Sequence, residues 1–165
     1  MKFRKLLNLL TEAFSKKLYH GTRSDFAELK KNQYGIIWLA FDKEVALEYA
    51  KEKYYVKTSD IVLEVTLKSN AKIVDFRDLK NKYIREVYDS ISSTYKMNFG
   101  LEMSEKDWYN DRADFGTIEA NLWIIDFLKS KRIDGIILRD ANTRQKHLSV
   151  ALFNQKKIEN ATPIK

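Results

Sequence analysis

Short apolar runs alternate with helical stripes along this chain, and that alternation restricts it to a domain mixing strands and helices. Leu18–His20 is the first run, ended by Gly21. Ile36–Ala40 is a continuous apolar strand leading into Asp42, an N-cap for a helix over 43–53. Val45, Ala46, Tyr49 and Ala50 form the stripe of that helix. Ile61, Leu63, Val65 and Leu67 then alternate with other residues, the pattern of a half-buried strand. Further strands are expected over 72–76, 135–138 and 148–153. Helices are expected over 77–93 and 117–131, the second with Ala120, Trp123, Ile124 and Leu128 as its apolar set. Residues 94–115 show no periodicity and read as a loop or insertion. The fold class is therefore α+β.

At 165 residues with 44% apolar content, the chain is long enough for one domain with its own core. Residues 2–17 read as a separate basic amphipathic helix, with Phe3, Leu6, Leu7, Leu10 and Phe14 on one face. Much of the net charge of +7 sits there, where five Lys/Arg face only Glu12. A basic chain keeps nucleic acid open as a partner, although residues 18–165 lack dense Lys/Arg clusters. No apolar run approaches the length of a membrane span, so no membrane partner is expected. Cysteine is absent, which removes disulfides, thiolate nucleophiles and cysteine-ligated metals. No metal site and a monomeric state are expected.

Several segments carry a more specific pattern in fixed order. They are Leu18-Tyr19-His20-Gly21-Thr22, then Gly35 through Asp42 with Ala46 and Tyr49-Ala50, Val62–Ala71, Asp134-Gly135-Ile136-Ile137, and Leu152-Phe153-Asn154 with Ile158. Trp38 and Tyr49 stand eleven positions apart. Together these resemble the diphtheria-toxin-like branch of the ADP-ribosyltransferase superfamily, which includes the poly(ADP-ribose) polymerases. The chain is similar in particular to small phage-associated transferases of polyvalent proteins, over residues 18–161.

The resemblance implies an ADP-ribosyltransferase-like fold, in which two small packed β-sheets form a cleft for NAD, with flanking helices. It implies a mono-ADP-ribosyltransferase with NAD as co-substrate, a macromolecular acceptor such as a bacterial host protein, and release of nicotinamide. His20 would bond the adenosine ribose, Gly21 the carboxamide, and Thr22 would support the ribose hydroxyls. Trp38 and Tyr49 would sandwich the cationic pyridinium by stacking and cation–π attraction. Each of these residues also has a plainer reading, His20 as a buried histidine paired to backbone and the two aromatics as core. Their joint order favours the cleft.

The third catalytic position departs from the family. Relatives carry Glu four residues before the Phe of the last motif, and here that position is Ser149. A serine hydroxyl supplies no negative charge to an oxocarbenium-like sugar. Asp140 and Gln145 are the nearest substitutes, and Asp140 is the better one because it is anionic. Its alternative reading is the start of a turn before Asn142.

Leu10-Thr11-Glu12 followed by Ala13 resembles the cleavage site of phage prohead proteases behind a basic leader. That implies packaging in a phage head and delivery to the bacterial cytoplasm. Two other classes compete with the enzyme: a catalytically degenerate binding module of the same fold, and a basic internal head protein that accompanies DNA. The third-position carboxylate separates them, since Ser149 favours the degenerate module and Asp140 the transferase.

Overall fold

The computed structural model describes residues 17–22, 29–51, 61–140 and 147–164. The basic helix expected at the N-terminus, the cleavage motif and Gln145 lie outside these residues. Strands β1 (Leu18–Gly21), β2 (Ile37–Ala40), β3 (Val62–Leu67), β4 (Ile73–Asp75), β5 (Gly135–Asp140), β6 (His147–Leu152) and β7 (Ile158–Ile164) form one mixed sheet. Its order is β4-β5-β6-β2-β1-β3-β7, with β4 and β5 parallel and every other pair antiparallel. The architecture is α+β. Among the described residues no helix is long and apolar enough to cross a membrane.

The expected pair of small sheets is instead one hydrogen-bonded ladder, with a weak joint in the middle. β1 and β2 meet at a single register pair, Tyr19↔Ala40, whereas β1 pairs with β3 along its whole length. The sheet must also curl. Five strand positions separate β3 from β4, a span of about 24 Å if the sheet were flat. Residues 68–72 connect them, and even fully extended they reach roughly 20 Å. They are not extended, because Ala71 N–H bonds Lys68 O at 2.9 Å in a turn. The two halves therefore fold toward each other and share one apolar cluster. Leu18, Leu63, Val65 and Leu67 come from one half and Ile37, Leu39, Ile137 and Val150 from the other.

The helices that follow β4 cover the opposite face of β5, β6 and β2, whereas the helix after β2 packs on β1. Helix α1 (Lys43–Lys51) starts where expected, with Asp42 Oδ1 accepting Glu44 N–H at 2.8 Å. Helix α2 (Lys82–Phe99) starts later than expected and runs past 93. The Asn81 side chain caps its N-terminus, accepting from Tyr83 and Ile84 N–H, and Gly100 in the left-handed region ends it.

The stretch read as a loop over 94–115 holds the end of α2, a short helix α3 (Glu105–Asp107) and a π-helical turn at Trp108–Arg112. A single wide turn leaves no repeat to detect. It nonetheless delivers Trp108, fully buried, against Phe76 and Tyr88, with its indole N–H donating to Phe76 O at 3.0 Å. The single helix expected over 117–131 is likewise two, α4 (Phe115–Ala120) and α5 (Trp123–Ser130). Asn121 breaks it by leaving helical geometry and turning its side-chain amide back to Thr117 O.

Strand β7 was not expected, because its exposed polar positions hide the period of a strand. It is the sheet edge, which accommodates Pro163 without a ladder donor.

Candidate functional site

A cavity of about 360 Å³ opens at the weak joint between β1 and β2. His20, Gly21, Thr22, Trp38, Tyr49 and Ser149, six positions singled out in the sequence, all line it. They arrive from four elements: the end of β1, the middle of β2, helix α1 and the middle of β6.

The backbone explains why the sheet opens there. Thr22 donates its N–H to Ile61 O at 3.0 Å. Peptide groups alternate sides along a strand, so Leu18, His20 and Thr22 address β3 while Tyr19 and Gly21 address β2. Tyr19 is met there by Ala40, and the pairing stops. The next rung in the same register would join Gly21 to Trp38. Trp38 O instead takes a hydrogen bond from His20 Nδ1 at 2.8 Å. The His20 side chain thus occupies the acceptor that would close the ladder. The N–H and C=O of Gly21 face the gap.

That bond also sets the state of His20. A carbonyl only accepts, so Nδ1 carries the proton and Nε2 keeps a lone pair. Burial pushes the His20 pKa below its ordinary value, and the bond to Trp38 O opposes this without cancelling it. Near neutral pH the ring is an uncharged acceptor fixed in orientation.

Gly21 has a second duty. A Cβ there would stand 1.9 Å from Ala46 O and 2.9 Å from Ala50 N–H nitrogen, both in the backbone of α1. The helix rests directly on the glycine, and Tyr49 enters the cavity from that helix. Trp38, half-buried, is held by an edge-to-face contact with Phe115, with ring centroids 4.7 Å apart and planes at 89°. Thr22 and Ser149 are buried, and Ser149 pairs with Ala40 on one side and Leu138 on the other.

Asp140 ends β5 opposite His147. It is therefore a diagonal neighbour of Ser149, a relation that places their Cα atoms about 7–8 Å apart.

Four cavity residues escaped the sequence reading, Lys30, Lys31, Asn32 and Phe115. Phe115 fell inside the supposed loop. Lys30 and Lys31 lie in a polar stretch before β2 that shows no periodicity. A tight turn carries them over the cavity: Asn32 Oδ1 accepts from Tyr34 and Ile36 N–H, Gly35 N–H bonds Asn32 O, and Gly35 takes φ +76°. The motif Asn-x-x-Gly was the available signal. Among the described residues no group of three His, Asp or Glu side chains is arranged to hold a metal ion.

Comparison with known protein families, curated proteins and solved structures gives no match to this chain.

Proposed function

We propose that the chain is a mono-ADP-ribosyltransferase that binds NAD in the β1–β2 cavity and passes ADP-ribose to a macromolecular acceptor. One observation carries this reading: the β1–β2 ladder stops after Tyr19↔Ala40, His20 Nδ1 bonds the Trp38 O that Gly21 N–H would meet, and Gly21 lines a cavity walled by Trp38 and Tyr49. A carboxamide needs one donor and one acceptor side by side, which is what a strand peptide offers. Trp38 and Tyr49 supply flat faces for a cationic pyridinium. His20 Nε2 is available to accept from a ribose hydroxyl, and Lys30 and Lys31 supply positive charge for a diphosphate at the rim. The volume of about 360 Å³ suits the nicotinamide–ribose end, leaving the remainder of the dinucleotide toward the rim.

In the reaction the bond between the ribose anomeric carbon and the pyridinium nitrogen breaks, and its electron pair leaves with nicotinamide. The ribose becomes oxocarbenium-like, the acceptor nucleophile bonds to it, and the nucleophile loses its proton. Holding the pyridinium flat and the ribose fixed lowers the orientational part of the barrier. A carboxylate near the sugar would stabilise the developing charge, and Asp140 is the candidate.

Ser149, buried and uncharged at the position where the family carries Glu, favours a second reading, a domain that binds NAD without turnover. Incubation with NAD labelled on the adenine, together with a bacterial lysate, separates the two. Transfer of label with stoichiometric nicotinamide release supports the enzyme. Calorimetric binding without release supports the second reading, and absence of binding removes both.

A further inference from the structure

A second concavity, about 570 Å³, lies at the opposite end of β5 and β6 from Ser149. The four residues from Ser149 to Phe153 put it roughly 13 Å away along β6. Lys72, Lys129, Arg132 and Lys157 line it, with Asp134 and Phe153. The cations come from three separate segments that tertiary structure draws together. Asp134 N–H bonds Lys72 O at 2.8 Å, Phe153 N–H bonds Asp134 O at 2.8 Å, and Lys68 N–H bonds Lys157 O at 2.8 Å.

The basin is not neutralised from within. Asp134 is its one carboxylate, and that group is committed. Its Oδ2 accepts Lys72 N–H at 2.8 Å, its Oδ1 accepts Asn154 Nδ2 at 2.8 Å, and Lys157 Nζ stands 3.6 Å away. Among the described residues no ion pair or hydrogen bond engages the side-chain cations of Lys72, Lys129 or Arg132. Like charges held around one hollow repel each other, so an arrangement of this kind gains from an added anion.

Arg132 adds an independent sign. Helix α5 closes with Arg132 N–H on Lys129 O and Ile133 N–H on Leu128 O, the pair of bonds that ends a helix on a left-handed residue. That residue is usually glycine, yet here it is Arg132 with φ +59°. The chain keeps a guanidinium where backbone geometry prefers no side chain.

We infer that this basin binds the phosphodiester backbone of a nucleic acid, independently of the β1–β2 cavity. Lys72, Lys129 and Arg132 are exposed and Lys157 is half-buried, and the four, drawn from three segments, form no tight cage for a single phosphate. A polymer of repeated charges is met by such an array one contact at a time, without reading bases.

The test is fluorescence anisotropy of the full chain with labelled single-stranded and duplex oligonucleotides across a salt series. The triple variant Lys72→Gln, Lys129→Gln, Arg132→Gln should bind roughly tenfold or more weakly at low salt, with a salt slope shallower by about 2–3. Equal charge removal at the exposed Lys51, Lys96 and Lys106 should change the slope by less than half as much. Arg132→Gly supplies the second arm, because it should raise the melting temperature while weakening binding. Equal losses for the two triple variants would overturn the inference by showing that net charge alone governs binding. So would an unchanged slope in the basin variant, or a loss confined to anionic phospholipid vesicles.

Discussion

Gly21→Ala tests the local geometry most directly. The added Cβ would stand 1.9 Å from Ala46 O, and real Cβ atoms essentially never come within 3.0 Å of another heavy atom. Helix α1 must therefore retreat by roughly 1 Å, since the contacted atoms are backbone and no rotamer relieves the clash. The retreat loosens Ala46 and Ala50, both buried, on a helix packed against β1 and β3. Overpacking of this kind costs about 2–3 kcal/mol, which for a chain of this size lowers Tm by roughly 5–10 °C. Tyr49 rides on the same helix, so NAD affinity should fall with stability. Gly100→Ala is the control. It is strained only by its φ of +66° and has open space around it, so it should cost about 1 kcal/mol and leave NAD affinity unchanged. Melting by circular dichroism and calorimetric titration read both effects. A Gly21→Ala protein melting within a degree or two of the parent would refute the close packing of α1 on β1.

Trp38→Ala removes one wall of the cavity and should weaken NAD by about 1–2 kcal/mol, roughly five- to thirtyfold, measured by calorimetry on protein shown to be folded. His20 gives a pH signature. Its folded pKa lies below the ordinary value, so the unfolded chain takes up the proton first and stability is lost as pH falls below about 6.5. His20→Asn should flatten that part of the stability–pH curve, and an identical curve in the variant would count against a buried neutral imidazole. Asp140→Asn should lower ADP-ribose transfer by about a hundredfold or more if the carboxylate acts in the transition state, while Ser149→Ala costs far less. The opposite ranking in initial-rate assays would exchange the two roles.

Strands β2, β3 and β6 and helix α1 were legible because their signals are local. An apolar run, a period of two, or a cap followed by a stripe reports on its own backbone and needs no partner. The six cavity positions were legible through the order of short motifs, although no single motif carries the chemistry. The stretch over 94–115 was not legible, because its anchor is one buried Trp108 whose partners, Phe76 and Tyr88, lie far away in sequence. The break at Asn121 was missed because the apolar stripe continues across it in sequence while the backbone does not.

The amino-acid sequence by itself determined strands β1 to β6 and helices α1 and α2 to within a few residues, and it placed a histidine, a glycine and two aromatics in the order that carries the family resemblance. Periodicity and capping act within a few residues and survive in any tertiary setting. Only the tertiary structure decided that the ladder stops after Tyr19↔Ala40, that His20 takes the carbonyl of Trp38, and that α1 rests on Gly21. It alone gathers Lys72, Lys129, Arg132 and Lys157 around one hollow from three distant segments. Hydrogen-bond competition between strands and repulsion between charges depend on separations in space, and a linear sequence does not contain those separations.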